Sequence, residues 1–419
     1  MSKTSTSAQP PKLRFPGFKE HPSAITLLEV CNGEISNGVF NDPGKRDGSY
    51  RLVNVLNMFG TDQIDISSLS ALALERKEFE KNKVKYGDIF FTRSSLVPAG
   101  IAWSNVFLSR EDNVTYDGHL MKISPDLDKF SPAYLAQYFR SRPIRKQLIV
   151  RGKTGTMTTI GQGDIATIEL NVPRLPEQQK IAAFLTAVDG RIEQLSRKKA
   201  LLEEYKKGVM QQLFTQTLRF QDDHGHDFPD WEEKTLGELT TWTSGGTPSK
   251  DEPSYWDGDI PWLSAASMHE RYYDDSPLKI SEEGLRNGSR IAKKGSLLLL
   301  VRGSMLWNRI PVGIARRDLA FNQDVKALAP TKAVQAEFLL QWFIASENLL
   351  LHSVVGTGIG AGKLDTEEMK RLQVQLPSLP EQTKIAGFLS ALDGKIAAVG
   401  EQMRQTQAWK KGLLQQMFV

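Results

Sequence analysis

Few side chains in this sequence have the spacing that chemistry requires. The run Gly356-Thr357-Gly358-Ile359-Gly360-Ala361-Gly362-Lys363 comes nearest to a phosphate-binding loop. A nucleotide-binding P-loop needs Gly-x4-Gly-Lys-Ser/Thr, with backbone N–H groups around the phosphates and a hydroxyl on Mg²⁺. Here Thr357 stands where the first Gly is needed, and Leu364 where the hydroxyl is needed. Ala361 breaks the dinucleotide pattern as well. The run therefore predicts a loop whose N–H and O–H donors suit a backbone phosphate, not a bound nucleotide. His224-Gly225-His226-Asp227 holds metal-ligating types but lacks a second ligand cluster, so it reads as a solvated linker. Pro229-Asp230-Trp231-Glu232-Glu233-Lys234 carries carboxylates and a lysine too close together for a nuclease metal site. Neither a Gly-x-Ser-x-Gly elbow nor an Asn/Asp-Pro-Pro-Tyr motif occurs. The expectation is a chain without catalysis of its own, holding no metal and no cofactor.

Basic, amide and hydroxyl residues, the types that meet phosphates and base edges, cluster in loops instead. Lys45, Arg46, Tyr50 and Arg51 lie in one Gly-flanked loop. Arg93, Ser94 and Ser95 end one apolar run, and Arg302 and Ser304 (around Gly303) end a second that is read as its equivalent. Asn308 and Arg309 follow Trp307, while Lys153, Thr154 and Thr156 match the later loop with Thr357 and Lys363. Each loop alone reads better as solvated surface. Their recurrence at aligned places favours a binding role.

The elements that must position these loops come in duplicate. Residues 176–214 and 380–418 align without a gap at an offset of 204, with 18 of 39 positions identical. That period is too long for a solenoid, so the chain is two copies of one large unit. Each copy is a variable part followed by a near-constant helix. Ile181, Leu185, Val188, Ile192 and Leu195, then Leu202, Tyr205 and Val209, recur at helical spacing in the first. Ile385, Leu389, Leu392, Ile396 and Val399, then Met403, Thr406, Trp409 and Leu413, do so in the second. These stripes predict inter-helix packing of coiled-coil type. Gly190 and Gly394 mark expected kinks. The variable parts mix short strands, such as 88–92 and 296–301, with helices near 132–140 and 335–346. The fold class expected is mixed α/β. It comprises a disordered leader (1–14), a globular domain (15–174), a central helix (175–217), a second globular domain (218–378) and a C-terminal helix (379–419).

Composition agrees with a globular chain: 419 residues, 40% hydrophobic, 24% charged, and 53 Lys+Arg against 49 Asp+Glu for a net +4. The lone Cys31 excludes an internal disulfide and a cysteine zinc cage. The N-terminal stretch lacks a signal-like apolar core, and 296–301 is far short of a membrane span. A cytoplasmic protein with no membrane partner is expected.

The sequence resembles a known family, the DNA-specificity subunits (HsdS) of type I restriction–modification enzymes. The resemblance rests on Leu-Pro-Glu-Gln-x-Lys-Ile-Ala at 175–182 and 379–386, each closing a variable unit and opening a helix. It rests also on Gly245-Gly246-Thr247-Pro248-Ser249, Tyr255-Trp256 and Ile260-Pro261-Trp262, similar to the opening of a target recognition domain, and on 87–95 and 356–358. Ser249 and Lys250 therefore join the candidate contacts. The first unit departs from the pattern, with Cys31-Asn32-Gly33-Glu34 at its opening. The resemblance implies two target recognition domains, one per half of an asymmetric bipartite site in double-stranded DNA, spaced by antiparallel helices. It implies two modification (adenine methyltransferase) subunits bringing S-adenosylmethionine, and up to two restriction subunits bringing ATP- and Mg²⁺-dependent translocation and cleavage. Two rival readings stay open: a non-DNA coiled-coil scaffold, and a fused enzyme with an unrecognised active site.

Overall fold

The computed structural model describes residues 11–31, 33–40, 48–358 and 360–418. It divides into two units, Met1–Ser196 with Glu401–Val419, and Arg197–Gly400. Both boundaries fall inside the long helices, Leu175–Phe214 and Leu379–Met417. Pro176 and Pro380 sit in the first turn, where a missing N–H costs nothing. Neither helix breaks at Gly190 or Gly394.

The first unit centres on a four-stranded sheet in the order Ser36–Asn37, Leu120–Ile123, Ile89–Thr92, Ser104–Val106. A three-stranded sheet, Ser70–Leu72, Tyr50–Val53, Val114–Tyr116, lies in the same unit. Ile89, Phe90 and Phe91 are fully buried, as a short continuous apolar run bounded by Gly87 and Arg93 predicts. The second unit has a five-stranded sheet in the order Thr240–Ser244, Val325–Pro330, Leu297–Leu300, Val312–Ala315, Tyr272–Tyr273. Leu297 to Leu300 are all at 0% exposure. Helices Pro132–Phe139 and Ala336–Ala345 cover these cores. An antiparallel strand pair joins the start of each variable part to its end, Ser23–Thr26 with Glu169–Val172 and Glu232–Thr235 with Gln373–Leu376.

The recurring Pro-Glu-Gln has a structural reason. Gln178 Oε1 accepts from Ser131 N at 2.9 Å, and its amide donates to the carbonyls of Lys129 (3.0 Å) and Pro173 (2.7 Å). Gln382 repeats this with Gln335 N, Ala333 O and Pro377 O. Glu177 holds Arg14, and Glu381 holds Arg219 and the indole of Trp231. These buried carboxylates push both guanidinium pKa values up, chiefly by hydrogen bonding.

The two long helices pack antiparallel within each unit. In the first, Asp189 meets Lys410 at 2.5 Å; in the second, Lys206 meets Asp393 at 2.7 Å. The offset of 204 converts one pair into the other. Ile181, Leu185, Val188, Leu195, Ile385, Leu389, Leu392 and Val399 are buried, and Ile192 and Ile396 half-buried. The later part of the stripe differs from expectation. Tyr205 and Trp409 stand 54% and 52% exposed, while their neighbours Lys206 and Lys410 turn inward. A lysine stem packs like an apolar chain when its ammonium finds a carboxylate.

Candidate nucleic-acid interface

The same small ribbon projects from the central sheet of each unit. In the first, Ser94–Ser95 pairs with Thr158–Thr159, which pairs with Lys153–Thr154. In the second, Arg302–Gly303 pairs with Gly362–Lys363, which pairs with Val355–Gly356. The ribbons gather Arg93, Ser94, Ser95, Lys153, Thr154 and Thr156 in one unit, and Arg302, Ser304, Thr357 and Lys363 in the other. The glycine-rich run is thus a hairpin, not a strand–loop–helix phosphate site. Its tip is closed by Thr357, whose N and Oγ1 both donate to Ala361 O at 2.8 Å, and by Trp307 Nε1 donating to Gly360 O at 3.0 Å.

The ladders correct one equivalence. Arg302 opposes Lys363, whereas Ser94 opposes Thr159 at the matching place. Arg302 therefore corresponds to Ser94, and Arg93 to the buried Val301. A shift of one residue along a strand turns a side chain to the opposite face. Arg93 instead donates to Gly118 O at 3.1 Å, beside the exposed Phe40 and His119.

The other candidates scatter. Lys45 and Arg46 lie outside the described residues. Tyr50 is committed to packing, stacked on Phe79 at 3.9 Å. Arg51, on the other sheet of its unit, donates to Ile66 O at 3.1 Å. Lys153 faces Asp164 at 3.4 Å. Ser249 and Lys250 are exposed after Gly245 and Gly246, where a Cβ would meet Phe321 O or Gly288 O at 2.2 Å. That glycine pair is a close-packing device. Asn308 is exposed, while Arg309 is tied to Met268 O at 2.6 Å.

Sequence reasoning missed Lys326, whose Nζ donates to Ser244 Oγ at 2.6 Å. Burial lowers its pKa, and Arg302 and Lys370 lower it further. It lies in the strand Val325–Pro330 between the buried Val325 and Ala327, and that alternation was the signal available. Also missed were Leu96, Val97 and Met157, exposed apolar side chains around the first ribbon. Among the described residues no cluster of three or more His, Cys, Asp or Glu suits a metal ion, and no helix is long and apolar enough to cross a membrane.

Two heads of one design, each closed by a near-constant helix, define a tandem class of protein. A family model described as "Type I restriction modification DNA specificity domain" matches twice, at residues 35–204 and 229–405. The chain belongs to this family and carries two such DNA specificity domains. The Escherichia coli type I restriction enzyme EcoR124I/EcoR124II specificity subunit is 29% identical over 164 residues, 39% of this chain and 41% of that protein. The match thus spans about two-fifths of that relative's length. The type I restriction–modification S subunit from M. genitalium covers 98% of this chain and 99% of its own, with TM-score 0.58 and 14% identity. A chain from a structural study of complex assembly and conformational transition of the type I R-M system covers 96% and 98%, at TM-score 0.58 and 17% identity. Both show the fold. These relatives are specificity subunits of type I restriction enzymes, and the matched domain is a DNA specificity domain.

Proposed function

We propose that this chain supplies the address of a type I restriction–modification complex. Each unit reads one half of an asymmetric, bipartite sequence in duplex DNA, and the antiparallel helices fix the spacing. Two modification subunits, bringing S-adenosylmethionine, methylate adenine at the site. Up to two restriction subunits bring ATP- and Mg²⁺-driven translocation and cleavage. The complex acts in the cytoplasm without a membrane partner. One observation carries the reading: an equivalent ribbon in both units presents different side chains, while the buried joints to the helices are the same. Two unlike heads on one chain suit an asymmetric site, as a symmetric dimer would not. Each mismatched base pair costs only ~1–3 kcal/mol, so rigid linkage of two half-sites is what raises discrimination.

Base-resolution sequencing of modified adenines tests this, after expression with the cognate modification subunit in a methylation-free host. A single bipartite motif with a fixed spacer is the expected result. A stable complex that leaves no motif would refute it.

A further inference from the structure

The second ribbon breaks a rule of sheet design. Arg302 and Lys363 are direct partners across an antiparallel pair, where like charges destabilise. Among the described residues neither side chain has an ion-pair partner. Lys326 adds a third cation. It lies opposite Leu299, near the end of the strand that leads into Arg302, and its ammonium donates to the neutral Ser244 hydroxyl. Both Arg302 and Lys370 act on Lys326 as like charges, although Lys370 is itself bonded to Glu367 at 2.8 Å. Asp324 acts in the opposite sense, and its carboxylate also accepts from Asn322 Nδ2 at 3.1 Å. Asp365, two positions after Lys363, feels it as an opposite charge, although the two form no ion pair. Like charges so incompletely offset persist where a ligand supplies the rest of the counter-charge.

Among its described residues the first unit has no such feature at the matching ladder positions. The matching ladder places Ser94 at Arg302, Thr159 at Lys363 and the buried Met121 at Lys326. The cationic cluster therefore belongs to what differs between the heads. A partner protein present in two like copies would need the same surface twice. A half-site of DNA needs no such repetition. The surroundings suit a nucleic-acid backbone. Gly356, Gly358 and Gly360 remove side chains from the hairpin tip, and Trp307 presents a half-exposed indole beside it.

We propose that Arg302, Lys326 and Lys363 clamp the phosphodiester backbone of the second half-site, and that the first unit lacks this clamp. The inference rests on the DNA-reading role proposed above. It makes the ionic contribution to binding unequal between the heads.

The test is the salt dependence of binding of the full chain to a fluorescent mixed-sequence duplex. The clamp is converted to first-unit chemistry by Arg302→Ser with Lys363→Thr, and the reverse change is Ser94→Arg with Thr159→Lys. Each lost phosphate contact lowers the slope of log K against log [salt] by about 0.9. The double variant should therefore lose ~1.8 in slope, a ~12-fold smaller fall in affinity between ~50 and ~200 mM salt. The reverse variant should steepen the slope. A wild-type chain with salt-dependent binding and an unchanged slope in the double variant would overturn the clamp and leave DNA reading intact. A wild-type chain without salt-dependent duplex affinity would overturn both. An unchanged slope with weakened binding to the modification subunit would overturn the clamp and assign the cations to an acidic protein surface. Circular dichroism and thermal melting establish folding. If the Ser/Thr variant does not fold, Arg302→Gln with Lys363→Gln takes its place.

Discussion

The ends of the described chain predict a circular permutant in detail. In the second unit the first long helix runs on into the next segment, and Leu218 N donates to Gln212 O at 3.1 Å. In the first unit Leu13 N donates to Gln416 O, also at 3.1 Å. Gln416 is Gln212 displaced by 204, so Leu13 occupies the place of Leu218. Six steps separate Gln212 from Leu218; Met417, Phe418, Val419, Pro11, Lys12 and Leu13 are also six. Joining Val419 to Pro11 without a linker reproduces the internal connection. One residue then conflicts. Pro11 falls at the place of Gln216, whose φ is 59°. Proline is locked near ~−65°, so the joint requires Gly or Asn there. The chain is best opened between His224 and Gly225, in an exposed loop with no counterpart after Phe15. The permutant 225–419 followed by 11–224 with Pro11→Gly should melt within a few degrees of the parent. Retaining Pro11 should cost about 1–3 kcal/mol of backbone strain, which is ~2–12 °C on the first unit's transition at its size. Calorimetry reads both. Equal melting of the Gly and Pro permutants, or an unfolded Gly permutant, would refute the equivalence of the two connections.

Two further predictions concern buried polar groups. Asp393→Ala leaves the Lys206 ammonium, with its side chain only 10% exposed, without its carboxylate. The cost should be about 1–3 kcal/mol, discounted from a fully buried pair because Asp393 is half exposed. Lys206→Met should cost less, because it keeps the packing and removes the charge. A double-mutant cycle on the second unit's transition measures both, and a costlier Lys206→Met would contradict the packing argument. Cys31 is 4% exposed, and burial raises its thiol pKa above the ordinary value. A raised pKa leaves less thiolate at any pH below it, so the native protein should react slowly with a thiol reagent at pH 8 and quickly in denaturant. A native rate equal to that of free cysteine would refute this.

The repeat, the long helices and the apolar central strands were legible because each follows from composition and spacing alone. Leu297–Leu300 could only be a buried strand or a helix fragment, and Gly295 and Gly303 bound it too closely for a helix. The ribbons were half legible. Their residues were identified, but the equivalence of Arg93 with Arg302 came from matching letters at strand ends, and strand register is set by backbone pairing. Tyr50 and Arg51 looked like binding residues because polar and aromatic types serve packing and recognition alike. Their contacts with Phe79 and Ile66 join segments far apart in sequence. The inward turn of Lys206 and Lys410 was hidden for the same reason. A lysine within an apolar stripe reads as an interruption until its carboxylate, some 190 to 220 positions away, is known.

Those two lysines explain how the heads can differ on an unchanging frame. Asp393 accepts from Lys206 of the opposing helix and from Gln341 of its own head at 3.3 Å. Asp189 does the same with Lys410 and with Gln137 at 3.5 Å. One carboxylate thus joins both long helices to the head helix in each unit. With the buried Gln178 and Gln382 joints, it fixes where a head sits through side chains that recur at the same offset. The ribbons are held instead by backbone ladders, which ask little of side-chain identity beyond small size at Gly362 and a left-handed backbone at Gly360. Serine can therefore stand for arginine, or threonine for lysine, at a ribbon position without disturbing the joint. Sequence change concentrated there alters the side chains a ribbon presents and leaves each head's joint to the helices unchanged.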